Sequence, residues 1–233
     1  VNRVEQAFRQ LTLRPGLSAT VIVMLALGLG ATTAIFSVFH QVLLKPLDLP
    51  EAERLVLLGA PGPKPGPART GLAVNNLAAV FSYPMFRDLE KAQTVFTGLA
   101  AHYDFLVNLT QGGGEPEASR GVLVSGGYFG VLNLHPAVGR LLGPQDEASV
   151  GEAPVVVLSY EYWQNRFGGD PSVLGTTLTV NNRALTIVGV APQEFAGMMP
   201  TWRPAVFVPL TMRWLMQPEE PRNDDDRSSY WLY

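Results

Sequence analysis

A chain of 233 residues with a formal net charge of −3 and no cysteine excludes several chemistries at once. Disulfides, thiol catalysis and zinc–thiolate sites need cysteine, and a nucleic-acid surface needs a basic stripe that this sequence lacks. The histidines are His40, His102 and His135. They form no H-E-x-x-H pattern and no nucleophile elbow occurs, so the chain reads as a non-enzyme with no catalytic residue, metal site or cofactor of its own.

The first 15 residues carry Arg3, Arg9 and Arg14 against Glu5 alone. Val4, Phe8 and Leu11 recur at helical spacing, which predicts a short amphipathic segment on the cytoplasmic leaflet over residues 1–15. From Leu17 to Leu44, about 28 residues, there is no Asp, Glu, Lys or Arg, and roughly 20 apolar residues cross a bilayer as a helix. Gly28-x-Gly30-x-x-Thr33 is not a phosphate loop, because its third small residue is wrong and no Lys-Ser/Thr pair follows. The run also outlasts a signal-peptide core of about 7–15 residues and stays apolar through Ile35–Phe39. Residues 16–45 therefore read as an uncleaved transmembrane helix. A short basic tail before a long distal part places the N-terminus inside. Ala26, Gly30 and Ala34 share one face, a small-residue ridge that is the candidate for helix packing.

Residues 46–233, about 190 of them, suffice for one domain or two small lobes. Arg54–Leu58 reads as a buried strand, and prolines at 61, 63, 65 and 67 make a loop from Gly59 to Pro67. Ser82 opens a helix through Lys91, with Pro84 in its first turn and Phe86 and Leu89 on its inner face. A second short helix is expected from Val95 to His102. Tyr103–Leu109 and Ala118–Ser125 flank Gly112-Gly113-Gly114 as a hairpin. Tyr128–Leu132 reads as a short core helix ended by Pro136, Gly139 as a turn, and Pro144–Glu152 as a polar, acidic loop.

The clearest unit runs from Val155 to Ala191. Val155–Leu158 is a continuous buried strand, and Ser159 caps a helix with Glu161 in its first turn. Trp163 and Phe167, four apart, face the core, and Gly168-Gly169 ends the helix. Thr176–Val180 and Leu185–Val190 form a hairpin about Asn181-Asn182, a pair suited to a type I′ turn. Ala205–Val208 adds a strand, giving an α+β domain. Phe129, Trp163 and Phe167 are the structural core candidates. A ligand groove lined by such aromatics is the less favoured reading of the same spacing.

The acidic run from Glu219 to Asp226 lacks the spacing and central glycine of a calcium loop, and reads as a solvated loop. Starting at Val1 and stopping in Arg227–Tyr233, where an aromatic, strand-like run has just begun, the chain reads as a C-terminally truncated fragment of a longer reading frame, whose apolar tail would otherwise be unpaired.

"VVVLSYEYWQNRFGGDPSVLGTTLTVNNRALTIVGVAP" and, upstream, "YFGVLNLHPAVGRLL" resemble the MacB-like periplasmic core domain. "RPGLSATVIVMLALGLGATTAIFSVFHQVLLKPL" is similar to the first transmembrane helix of MacB/FtsX-type ABC permeases, in the flavour of acidobacterial duplicated permeases. The resemblance implies a bacterial inner-membrane permease subunit with its N-terminus cytoplasmic and its main domain periplasmic. It implies two periplasmic lobes, one of porter-like β-α-β units and one mixed. It also implies a homodimer or pseudo-dimer of permease halves in inner-membrane lipid. A separate ABC ATPase would bind the ATP, and a periplasmic fusion protein is a further partner. Its function would be to couple ATP hydrolysis to periplasmic movement for efflux or export. The alternative is a membrane-anchored periplasmic binding or interaction domain without transport activity.

Overall fold

The structure, a computed structural model, describes residues 15–39, 49–59, 81–147, 151–199, 202–220, 222 and 224–233. The amphipathic segment expected over 1–15, all but Gly59 of the proline-rich loop, and His40 lie outside these residues, apart from Pro15. The chain forms two compact units, Val1–Pro46 and Leu47–Tyr233.

In the first unit, helix α1 spans Pro15–Phe39, 25 residues. Its stretch Ser18–Ser37 has a mean hydropathy of 2.1 with none of it buried, so it is long and apolar enough to cross a membrane. The hydroxyls of Thr20, Thr32 and Thr33 donate to carbonyls four residues back. This satisfies each hydroxyl inside the helix, as an apolar solvent requires.

The second unit is built in chain order from α2 (Tyr83–Ala92), β1 (His102–Thr110), β2 (Glu117–Val124), α3 (Tyr128–Val131), β3 (Val138–Gly139), β4 (Val155–Leu158), α4 (Tyr160–Phe167), β5 (Thr177–Val180), β6 (Arg183–Val190), β7 (Val206–Pro209) and α5 (Arg213–Met216). The seven strands join one sheet in the order β3-β6-β4-β7-β2-β1-β5, and β5 also pairs with β6. That extra pairing closes six of the strands into a small mixed barrel and leaves β3 attached outside the ring. Two pairings, β2–β7 and β4–β6, are parallel; the other four around the ring are antiparallel.

Strand alternation fills the barrel. On β1, Phe105, Val107 and Leu109 are buried while Leu106 and Asn108 are exposed, the period of two expected of a strand with one covered face. Inward residues of all six ring strands, among them Leu123, Leu158, Leu178, Leu185 and Val206, meet in one hydrophobic cluster. A small barrel has no lumen; side chains occupy its interior. A second cluster covers the outer face, where Val122, Val124, Val157 and Phe207 lie under Tyr128 and Phe129 of α3 and Phe195.

Local chemistry sets the element ends. Ser82 Oγ accepts from the Met85 N–H and Ser159 Oγ from the Tyr162 N–H, each satisfying a donor that the first helical turn leaves open. Gly168 ends α4 at φ +63°. Asn181 and Asn182 take φ +46° and +63° in the β5–β6 turn, which a type I′ hairpin demands. Gly189 is required for another reason. A Cβ there would lie 1.9 Å from the Arg140 carbonyl oxygen, so only glycine lets the chain beside β3 approach β6.

Several expectations are corrected. Arg54–Leu58 forms no strand among the described residues: Ala52–Arg54 is a short 3-10 turn and Val56 and Leu57 are exposed. Strand-forming residues without a partner ladder have nothing to pair with. Val95–His102 is not a helix; Val95 is 84% exposed and His102 already belongs to β1. On α2, Phe86 is buried but Leu89 lies at the solvent edge. Gly139 sits within β3 rather than in a free turn.

The acidic loop hides its carboxylates. Asp146 and Glu147, in the 3-10 turn Pro144–Glu147, are buried. The aromatic tail is paired: Trp231 and Leu232 are buried, and Phe81 and Leu232 exchange backbone bonds of 2.8 and 2.9 Å. In place of two visibly separate lobes, all strands of the second unit share the one sheet. The unit is a mixed α+β domain.

Candidate functional site

Two surface features and two internal struts stand out on the barrel. The first feature is a narrow crevice over the outer face of β1 and β2. His102 and Asp104, two residues apart on β1, point to that face, opposite Val124 and Val122 of β2. Tyr128 of α3 closes one side, and Met198, Met199 and Trp202 of the segment after β6 close the other. Gly197, at φ +95°, starts the turn that brings this segment over, and Met199 and Trp202 form a bridge across it.

The His102 ring lies 5.9 Å from each of the Tyr128 and Tyr233 rings. Burial brings its pKa down to about 4, so the imidazole is neutral at neutral pH. Burial pushes Asp104 the other way, up to about 6. Both shifts disfavour the charged form, the signature of desolvation. Tyr128 is pushed up by its burial and by the Asp104 charge. No side chain among the described residues hydrogen-bonds or ion-pairs with the Asp104 carboxylate.

The second feature is an open polar groove of about 320 Å³ between β2 and α4. Glu117 and Ser119 form one wall; Tyr162, Asn165 and Arg166 of α4 form the other, with Arg203 at the rim. Arg203 pairs with Glu161 at 3.2 Å, both side chains largely exposed, an arrangement worth little in water.

The struts are acidic. Glu147 accepts from the Gly126 N–H at 2.7 Å and lies 3.4 Å from the Tyr83 hydroxyl and 3.6 Å from Arg87. It ties α2 to the end of β2. Burial raises the Glu147 pKa against these lowering partners. Asp146 takes both terminal nitrogens of Arg140, at 2.7 and 2.8 Å. Burial alone would raise its pKa, but Arg140 and the Gly143 N–H outweigh burial and hold it low. Elsewhere Arg213, 2% exposed, lies over the Trp231 ring at 4.2 Å and 3.5 Å from Asp224. One carboxylate of the expected solvated acidic run thus faces a buried cation.

The residues singled out from sequence fall in two places. Ala26, Gly30 and Ala34 lie exposed along α1, with open space within 4 Å of a Cβ built on Gly30. Phe129 (2% exposed) and Trp163 (6%) are buried on opposite sides of the sheet, and Phe167 packs half-buried against the interior cluster. His135 stands away from the crevice lining. The sequence reading missed His102 with Asp104; their i, i+2 spacing in a strand was the signal. Among the described residues no cluster of three or more His, Cys, Asp or Glu gathers as a metal site.

The family model described as "MacB-like periplasmic core domain" matches residues 18–230. The chain belongs to this family. The MacB-like periplasmic core domain is the periplasmic or extracellular part of a membrane-associated ABC permease, here preceded by the apolar helix α1. No curated protein matches the chain. Among solved structures, the periplasmic region of MacB from Actinobacillus actinomycetemcomitans is similar, at 20% identity and TM-score 0.48 over 60% of each chain. The extracellular domain of the noncanonic ABC-type transporter YknZ from Gram-positive bacteria matches at 17% identity and TM-score 0.47, over 64% of this chain and 73% of that one. A domain of a permease protein from Porphyromonas gingivalis, described there as putative, matches at 15% identity and TM-score 0.44, over 66% and 61%. The chain thus spans 60% of the MacB region it matches.

Proposed function

We propose that this chain is the N-terminal part of a permease subunit that couples cytoplasmic ATP hydrolysis to movement of its periplasmic domain for efflux or export. The observation that carries this reading is the family match, which runs from residue 18, inside α1, to residue 230 at the far end of the barrel unit. Most of α1 and nearly all of the barrel unit fall within the matched span. In this reading α1 crosses the bacterial inner membrane with residues 1–15 cytoplasmic and residues 46–233 periplasmic. An ABC ATPase supplies the ATP site, and two permease halves pair in the membrane. A periplasmic fusion protein is a further partner.

The ridge Ala26, Gly30, Ala34 supports the pairing, because small residues let membrane helices approach closely. The domain itself performs no chemistry; it moves. Gly30→Leu in the permease–ATPase complex, reconstituted in vesicles, should uncouple ATP turnover from export. Normal coupling would remove the ridge from the mechanism, and ATP hydrolysis by this chain alone would sink the reading.

The polar groove between β2 and α4 favours a second reading, a membrane-anchored binding domain without transport. Export unaffected by deletion of the permease gene's ATPase partner would support it over the first.

A further inference from the structure

The polar groove between β2 and α4 holds two opposite charges that do not meet. Glu117 and Ser119, two apart on β2, share one face of that strand. Tyr162, Asn165 and Arg166, at i, i+3 and i+4, share one face of α4. The two faces wall about 320 Å³ of water-accessible space, the lower end of the range for small-ligand sites, about 300–1,000 Å³. Among the described residues the Glu117 carboxylate, the Tyr162 hydroxyl, the Asn165 amide and the Arg166 guanidinium have no hydrogen-bond or ion-pair partner. At the rim, Arg203 and Glu161 close to 3.2 Å, so opposite charges within reach of each other on this surface do pair. Glu117 and Arg166 stand on either side of the open space instead.

We propose that this groove binds a small zwitterion, of the class of free amino acids and dipeptides, with its carboxylate on Arg166 and its ammonium on Glu117. This deepens the binding-domain reading and rests on it. A guanidinium offers a carboxylate two parallel donors, and a carboxylate accepts the N–H groups of an ammonium. A ligand of one sign gains from one wall and is repelled by the other; a ligand carrying both charges is attracted by both. The Tyr162 hydroxyl lies in both fields. Burial pushes its pKa up to about 12, the Glu117 charge adds to the rise, and the Arg166 charge opposes it. It therefore stays a neutral group that can donate and accept, and the Asn165 amide offers the same pair of roles. Charged side chains on a protein surface are ordinarily solvated and need no ligand. What sets this groove apart is a concave space with unpaired charges of opposite sign on its two walls.

The test titrates the whole chain, in detergent, with glycine and diglycine, following the amide signals of Ser119 and Asn165 by NMR. At least one of the two probes should shift those signals. Capping diglycine at its ammonium, as the N-acetyl form, or at its carboxylate, as the amide, should each weaken binding about fivefold, the upper end for an exposed ion pair. Glu117→Gln should erase the discrimination against the N-acetyl form, and Arg166→Gln the discrimination against the amide. Both side chains are exposed, so neither change disturbs the core. Equal binding of free and capped diglycine by wild type, unchanged discrimination in both variants, or tighter binding of uncharged maltose would each overturn the zwitterion while leaving a binding domain. No shift with any of these probes would overturn the proposal and remove the groove as support for the binding-domain reading. None of these outcomes bears on the transport reading, whose test is ATP coupling.

Discussion

The Trp163 indole nitrogen donates a 2.9 Å hydrogen bond to the Asp170 carbonyl. One side chain thus fills the interior cluster and holds the two-glycine turn that ends α4. The ring also meets Tyr160 edge-on at 5.5 Å. Trp163→Ala should cost about 3–5 kcal/mol, the range for removing a large aromatic from a core. Trp163→Phe should cost less, keeping most of the packing while leaving the Asp170 carbonyl to water. Denaturant titration of the two variants checks the order. Equal, negligible losses would put α4 on the surface.

Gly189→Ala should break the attachment of β3 to the ring. The clash is with backbone, the Arg140 carbonyl, and not with a side chain that can swing away. β3 must detach or β6 must shift, and overpacking of this kind typically costs about 1–3 kcal/mol or more. Loss of hydrogen-exchange protection at Val138–Gly139 and Val190, with the β1–β2 hairpin retained, is the expected pattern.

Two acids should leave opposite marks on the pH profile. The Asp104 pKa is raised to about 6 from 3.8. The stability its protonated form brings is therefore present near pH 4 and lost as pH rises through about 6. Asp104→Asn, a neutral stand-in, should raise the melting temperature at pH 7.5 and have little effect near pH 4. The Asp146 pKa is lowered by Arg140 and Gly143 against its burial. Its contribution is present above the ordinary carboxylate pKa and disappears as pH falls below it. Arg140→Gln should therefore destabilise at neutral pH, with the difference from wild type shrinking in acid. Parallel melts from pH 3 to pH 8 separate the two.

A reporter fused after Lys64 should be active only outside the cytoplasm, and one fused before Arg3 only inside. The reasoning is the charge-free run of about 28 residues between Arg14 and Lys45. A mature product lacking the first ~34 residues would show that the apolar helix is a cleaved signal instead.

Elements whose cause is local were legible in the sequence. Ser82 and Ser159 announce helix starts, Gly168-Gly169 a stop, and Asn181-Asn182 a hairpin, because each is set by backbone geometry within a few residues. Non-local pairings were not. Nothing in Glu117–Val124 says that it will run parallel to Val206–Pro209, about 85 residues on, and without that pairing the barrel cannot close. The Arg54–Leu58 run failed as a strand for the complementary reason: strand propensity is a preference for a place in a ladder, and no ladder is offered among the described residues. Asp146 and Glu147 read as solvated because composition cannot show that Arg140 and the Gly126 N–H will meet them. The crevice was hidden in the same way, since it joins β1 to a segment about 95 residues away.

The Phe81–Leu232 exchange, joined by reciprocal bonds between His102 and Tyr233 at 3.0 and 3.1 Å, has a mechanical meaning. Every strand of the barrel lies between Phe81 and Leu232 in sequence, yet the two points are stitched directly together. A tensile load entering at one and leaving at the other is met by this clasp and bypasses the ring.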